Sequence, residues 1–101
     1  MKFFVNAIPR EVQLTPEQGV AIYEASRQWM EANLATGVVE CHYVFPQGGG
    51  FAIVNADSHE ELGDHLLSFP MYGILGWEIR PLCDWNAMYG KWIEMFQNMA
   101  E

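Results

Sequence analysis

The pattern of apolar and polar positions predicts four β-strands. Residues 1–8 are aromatic and β-branched and end at Pro9, which indicates a first strand. Three further strands are predicted over residues 38–45, 51–56 and 74–83. The loop Pro46-Gln47-Gly48-Gly49-Gly50 has hairpin length and composition, so the second and third strands should be antiparallel neighbours.

A helical pattern follows the first strand. Thr15 can cap it, Pro16 suits its first position, and Gln18 completes a capping box. The helix should continue to about Ala35 and end at Gly37, where the chain can adopt a left-handed turn. Its predicted core-facing side consists of Ile22, Tyr23, Ser26, Trp29, Met30, Asn33 and Leu34.

Two more helices are predicted near the second half of the chain. Ser58 begins one of them, a short helix that ends by Pro70. Asp84 caps the last one, which carries a stripe of large apolar side chains at three- and four-residue spacing: Trp85, Met88, Tyr89, Trp92, Met95, Phe96 and Met99. A stripe this apolar should not stay in water, so we expect it to pack on a partner subunit.

The order β-α-β-β-α-β-α folds most simply as an α+β, ferredoxin-like sandwich with an extra C-terminal helix. One antiparallel sheet of strand order 4-1-3-2 would carry two helices on one face and leave the other face bare. We expect a single domain over residues 1–101, with residues 1–83 as its core and residues 84–101 as a helix for subunit contact.

Composition and charge narrow the class of partner. Thirteen acidic residues against five basic ones give a formal charge of −8, and the basic residues are scattered. Nucleic acid and anionic membranes are therefore poor candidates, and a small molecule is the expected substrate. No apolar run reaches membrane-spanning length, and the N-terminus turns polar early, so we expect a cytoplasmic protein. The many Trp, Phe, Tyr and Met side chains favour a homo-oligomer.

The stretch VECHYVF places two ionisable residues, Glu40 and His42, inside an apolar strand. Strict alternation would point both to the bare face, while Cys41 and Tyr43 would point to the helices. Imidazole suits general acid/base catalysis near neutral pH, and Glu40 could influence its charge. The alternative is a histidine on a solvated edge strand.

The predicted strand order brings further side chains to the bare face. That face would carry Phe4, Asn6, Ile8, Glu40, His42, Phe51, Ile53, Asn55, Glu78 and Arg80. A half-apolar face of this kind suits either a ligand pocket or a subunit interface. For Glu78 and Arg80 we favour ion pairs between subunits.

On the other side of the sheet, Tyr43 should pack near Tyr23 and Trp29. Small residues on the third strand leave room there for a cavity into which a phenol could donate to an enolate oxygen. His59 and His65 are too poorly spaced to share a metal, so no metal is expected. No nucleotide or nucleophile motif is visible, and no cofactor is expected.

The segment SHEELGDHLLSFPMYGILGWEIRPLC resembles the second half of muconolactone Δ-isomerase, within the dimeric α/β-barrel group. The matching residues are Ser58, Glu60, Leu62, Asp64, Leu66, Pro70, Glu78, Leu82 and Cys83, in one ungapped stretch. The resemblance implies a ferredoxin-like enzyme that assembles through paired sheets, and it marks Glu78 as a candidate site residue. The aromatic C-terminal helix departs from the isomerase, whose chain ends in a polar tail.

These observations lead to the hypothesis of a cofactor-independent isomerase or cyclase that transfers a proton on a small hydrophobic carbonyl or lactone. His42 would be the acid/base, tuned by Glu40, and Arg80, Asn6 or Tyr43 would hold the oxyanion. Further candidate site residues are Glu78, Phe51, Trp29 and Trp77. The alternatives are a cofactor-free monooxygenase for an aromatic or polyketide substrate, with Trp29, Trp77 and Tyr43 lining a cavity, and a non-catalytic binding or assembly protein.

Overall fold

The structure is a computed structural model that describes residues 1–100. Over this range it has four strands and three helices, with a short 3-10 turn before the last strand. They are β1 (Lys2–Pro9), α1 (Pro16–Thr36), β2 (Val39–Val44), β3 (Gly50–Asn55), α2 (His59–Leu67), β4 (Leu75–Leu82) and α3 (Trp85–Met99). The predicted element order is confirmed, and each strand boundary lies within one residue of its predicted position.

The four strands form one antiparallel sheet of order β2-β3-β1-β4. This is the predicted order, and with two helices on one face it confirms the α+β ferredoxin-like class. The helix-covered face carries the buried side chains Phe3 and Val5 from β1 and Ala52 and Val54 from β3. We call the opposite side of the sheet the open face; it carries Phe4, Asn6, Phe51 and Ile53.

The core lies between the helix-covered face and α2. Leu62 and Leu66 of α2 are buried against the sheet, and Val39 at the start of β2 is 1% exposed. Trp29 and Met30 of α1 pack at the edge of this core. Burial of each such side chain contributes roughly 1.5–3 kcal/mol to folding, so the sheet and α2 form the stable part of the molecule.

Helix α1 begins and ends as its sequence dictates. The Thr15 hydroxyl accepts from the Gln18 amide at 3.1 Å, and the Gln18 side chain accepts from the Thr15 amide at 3.0 Å. Gly37 ends the helix with φ of 82°. The predicted core-facing side is only partly buried, however, since Tyr23 is 65% exposed and Leu34 is 42% exposed. These two residues border an open cleft instead of the core.

Helix α3 begins at the Asp84 cap, whose carboxylate accepts from the Ala87 amide at 2.9 Å. It extends away from the sheet, and the molecule measures 65 × 28 × 23 Å as a result. None of the side chains described in α3 is buried. Among residues 1–100, no helix combines the length and apolar character needed to cross a bilayer.

Candidate active site

A β-bulge in β2 decides which side chains reach the candidate site. Val39 pairs with Val54, but the next residue of β3, Ile53, pairs with Cys41 instead of Glu40. Glu40 is therefore an extra residue in β2. An insertion of one residue sends every following side chain to the opposite face of a sheet.

Because of the bulge, the side chains of His42 and Tyr43 lie on the faces opposite to those predicted. His42 pairs with Ala52, a buried residue of the helix-covered face, so its side chain lies on the helix side and not on the bare face. Tyr43 pairs with Phe51 and is 66% exposed on the open face, where the two rings lie 6.0 Å apart. The predicted packing of Tyr43 against Tyr23 and Trp29 is wrong for the same reason.

His42 lies where an open cleft meets a small inner cavity. The cleft has a volume of about 780 Å³ and runs between α1, the β2–β3 hairpin and the segment around Met71. The inner cavity holds about 50 Å³ between the sheet and both helices. Both are lined by Ala7, Met30, His42, Gly50 and Phe69. His42 is the titratable residue common to the two spaces.

A backbone hydrogen bond fixes the imidazole of His42. Its Nδ1 lies 3.1 Å from the carbonyl oxygen of Phe51. Because a carbonyl oxygen only accepts, Nδ1 must be the protonated nitrogen of the neutral ring, and Nε2 then carries the lone pair. Within residues 1–100 we find no hydrogen-bond partner for Nε2. The ring is thus held as a base whose free nitrogen is available to a bound molecule.

Aromatic side chains form the inner end of the site. Trp29 and Trp77 both line the inner cavity, and Phe69 packs edge-on between them, with ring centroids 5.1 Å and 6.1 Å away. The Trp29 indole donates to the Ser68 hydroxyl at 3.0 Å, and the Trp77 indole donates to the Tyr72 carbonyl at 3.1 Å. With both indole N–H groups satisfied, the rings present apolar surface to the cavity.

Polar groups of α1 line the outer cleft. Ser26 is 6% exposed and donates its hydroxyl to the Ile22 carbonyl at 2.7 Å, so its oxygen can still accept a bond. Arg27 and Glu31 line the same cleft closer to solvent. Arg27 is the only cationic residue in the cleft lining, in a chain with five basic residues. Among the described residues, the site thus combines apolar walls with one imidazole, one cation and one carboxylate.

The side chains of the remaining predicted site residues lie on the open face, although Phe51 also lines the inner cavity and Tyr43 also borders the outer cleft. Lys2 bridges Glu40 and Asn55 there, so Glu40 does not contact the imidazole it was predicted to tune. Glu78 and Arg80 form an ion pair within the chain at 2.7 Å, with Asn6 opposite Glu78 in the β1–β4 register. Phe51 packs with Phe4, Tyr43 and Phe45. The structure therefore brings Trp29, Trp77 and the Phe51 backbone to His42. It separates the side chains of Asn6, Glu40, Glu78 and Arg80 from the imidazole.

Neither the other histidines nor the cysteines form a second site. His65 Nε2 is buried and lies 3.4 Å from a Glu61 carboxylate oxygen, while His59 is exposed beside Phe3. In the described part of the chain, no group of three or more His, Cys, Asp or Glu residues is placed to hold a metal ion. Cys41 and Cys83 are free thiols.

Sequence reasoning missed Ser26, Arg27, Glu31 and Phe69 as residues of this site. Ser26 could have been identified from the sequence, because a hydroxyl on the core-facing side of α1 must find a hydrogen-bond partner or line a polar space. Nothing in the sequence marked Arg27 and Glu31 as site residues, since charged residues on a helix are ordinarily solvated. Phe69 was interpreted only as a helix end.

No protein-family model and no curated protein matches this sequence. Solved structures do match: muconolactone isomerase superposes with a TM-score of 0.76 at 17% identity, over 83% of this chain and 90% of that one. A dehydrochlorinase of 5-chloro-2-hydroxyhydroquinone from Burkholderia phenoliruptrix AC1100, solved with 2,5-dihydroxybenzoquinone, gives 0.68 at 15% identity, over 86% and 98%. The fold is therefore that of muconolactone isomerase, as the sequence resemblance predicted.

Proposed function

We propose that this protein is a cofactor-independent isomerase or cyclase that acts by proton transfer on a small hydrophobic carbonyl or lactone-type metabolite. The substrate would bind in the cleft between α1 and the β2–β3 hairpin. Its volume of about 780 Å³ is within the range of ligand pockets, ~300–1,000 Å³. The oxygen-bearing substrates named for the two structural neighbours agree with a ligand of this class.

The observation that carries the proposal is the Nδ1 bond of His42 to the Phe51 carbonyl. It leaves Nε2 as the base, on the side of the sheet where the cleft is. Nε2 would remove a proton next to the substrate carbonyl and return it at another carbon, so His42 alone could carry the proton between the two positions.

The enolate formed in this step needs a group that stabilises its negative oxygen. Of the residues predicted for this role, Arg80 and Asn6 lie across the sheet from His42, and Tyr43 borders the cleft with its ring packed beside Phe51 on the open face. Arg27 lines the cleft instead, and we assign the positive charge facing the oxygen to it. The apolar walls formed by Trp29, Trp77 and Phe69 would exclude water and strengthen this interaction.

Proton transfer can be measured directly in D₂O. The test incubates the protein with muconolactone and with a panel of enolisable cyclic ketones and lactones, and NMR follows the replacement of C–H by C–D. We expect exchange with the wild-type protein and a loss of about 10²–10⁴-fold for His42→Ala, because a positioned acid/base contributes that much.

His59→Ala is the matched control, since His59 is exposed and outside the cleft; it should exchange at the wild-type rate. Wild-type exchange rates in His42→Ala would contradict the proposed base. Absence of exchange for every compound with the wild-type protein would count against proton transfer as the activity.

A cofactor-free monooxygenase is the second candidate, and the aromatic lining by Trp29, Trp77 and Phe69 favours it. Tyr43, which the sequence placed in this lining, lies on the open face. Oxygen consumption with a polycyclic phenol as substrate separates this activity from isomerisation, which consumes none.

We also infer that the protein is a homo-oligomer whose subunits meet through the open face. Phe4, Tyr43 and Phe45 surround Phe51 there, with ring centroids 5.6–6.4 Å from it. An aromatic cluster of this size, on a sheet face that no helix covers, is typical of a subunit interface.

A further inference from the structure

The apolar stripe of α3 is a second apolar surface that no described residue buries. None of its residues lines the cleft or the inner cavity of the candidate active site. We call it the α3 seam: Trp85, Met88, Tyr89, Trp92, Met95, Phe96 and Met99. Six of its seven members are between 48% and 71% exposed. Its rings already contact one another, with Trp85–Tyr89 at 5.4 Å and Tyr89–Trp92 at 5.8 Å.

We propose that the α3 seam pairs with the α3 seam of a second copy of this chain, as an antiparallel helix pair. This contact is additional to the one inferred for the open face and does not depend on the proposed activity.

The spacing of the seam fits a helix as its partner. Trp85, Trp92 and Met99 repeat every seven residues, and Met88 and Met95 fall between them at the complementary position. This is the a/d pattern through which two helices pack side by side. A flat sheet or an irregular groove would not require the seven-residue repeat.

The exposed area is that of a stable contact. A ring of this kind offers about 200 Å², so four rings at the observed exposures present roughly 500 Å². Met95 and Met99 raise the total to about 700 Å² or more, close to the ~800 Å² that each partner buries in a standard interface. The pairing of two seams therefore covers enough surface to be stable.

Charge identifies the second copy as the partner and sets the direction of the pair. The chain has a formal charge of −8, but Lys91 and Glu94 are the only charged residues in the range 85–100, which is therefore neutral. Two acidic molecules therefore meet with least repulsion at α3. Since the rest of each chain precedes α3, antiparallel pairing holds the two acidic bodies at opposite ends, whereas parallel pairing would place them side by side. A single lysine also gives no attraction to an anionic lipid surface.

The first test compares the masses of two full-length double variants by sedimentation velocity. Trp92→Glu/Phe96→Glu places two charges in the seam and should lower the mass of the wild-type particle at least twofold. Asn86→Glu/Asn98→Glu adds the same charges to α3 outside the seam and should leave the mass unchanged. Far-UV circular dichroism checks that both variants retain their fold. We expect that they do, because no side chain described in α3 is part of the buried core. An unchanged mass in the seam variant would overturn the proposal, as would a monomeric wild-type protein.

The second test identifies the partner surface with a short bismaleimide cross-linker, in a Cys41→Ser/Cys83→Ser background. Co-expressed Trp85→Cys and Met99→Cys chains should give a covalent dimer, because an antiparallel pair brings these ends together. Either chain alone should give none, and neither should co-expressed Asn86→Cys and Asn98→Cys chains. Cross-linking of Trp85→Cys alone would show a parallel pair, and cross-linking of Met99→Cys to Leu34→Cys would show α3 seated on another copy's cleft; either result overturns the proposal.

Discussion

The orientation of one imidazole carries the chemistry proposed for this protein. His42 donates from Nδ1 to the Phe51 carbonyl at 3.1 Å, so its neutral form should be the Nδ1–H tautomer. Free imidazoles in water prefer the other tautomer, which makes this a specific expectation. The strand pairing that holds Phe51 in place thus selects which nitrogen of His42 carries the lone pair.

Long-range ¹H–¹⁵N correlation spectra of the uniformly ¹⁵N-labelled protein test this at a pH where imidazoles are neutral. We expect His42 to show a protonated Nδ1 and an unprotonated Nε2. The exposed His59 serves as an internal control in the same spectrum and should show the usual Nε2–H form. An Nε2–H signal for His42 would leave the proposed base without its lone pair.

At this scale the sequence predicted His42 as the candidate acid/base, but it did not predict the side chains that surround it. Period-two alternation assigns His42 and Glu40 to one face, and it holds only while a strand keeps its register. The extra residue at Glu40 reverses the side chains that follow it, and nothing in VECHYVF distinguishes a bulged from a regular strand. Trp29 and Trp77 line the inner cavity beside His42, because α1 and β4 continue without such an interruption.

The β2–β3 hairpin is the element that forms the outer wall of the cleft, and Gly49 is the residue of its loop that packs against β1. Gly49 has φ of 78°, and a Cβ there would lie 2.7 Å from the Ala7 carbonyl oxygen and 2.9 Å from Pro9 Cδ. Both the backbone conformation and the close approach to β1 therefore exclude a side chain. The loop is fixed against β1 by this packing.

We expect Gly49→Ala to lower the free energy of unfolding by about 2 kcal/mol or more, because left-handed strain and a backbone clash add. Gly63→Ala is the matched control: nothing lies within 4 Å of its Cβ position in α2, and alanine should gain up to about 1 kcal/mol in a helix interior. Urea unfolding of both variants measures the difference. Equal stabilities would mean that the loop is not held against β1.

Element boundaries were predictable because their signals are local. Thr15, Gly37, Ser58 and Asp84 each satisfy or end backbone hydrogen bonds in the way their residue types allow. The burial of α1 was not predictable to the same extent, since Tyr23 and Leu34 meet an open cleft that depends on how the whole hairpin stands away from the helix.

The whole molecule is longer than a chain of its size needs to be. Its radius of gyration is 17.5 Å, against about 13 Å for a compact domain of 100 residues. The difference comes from α3, whose apolar stripe the sequence identified as a surface for a partner subunit. Two apolar surfaces per chain, the open face and the α3 seam, would allow a closed assembly larger than a dimer.

Net charge should decide how such an assembly responds to salt. Every association of two chains brings charges of −8 together, and the screening length falls from about 30 Å at 0.01 M salt to about 10 Å at 0.1 M. The open-face ion pair Glu78–Arg80 is already satisfied within the chain and need not hold subunits together. We therefore expect NaCl to strengthen the assembly, with a dissociation constant several-fold lower at 0.1 M than at 0.01 M by analytical ultracentrifugation.

Dissociation on adding salt would instead show that ion pairs between subunits, and not apolar contacts, hold the assembly together. Potassium fluoride at the same ionic strengths is the control for specific chloride binding, and it should give the same trend because screening depends on ionic strength alone.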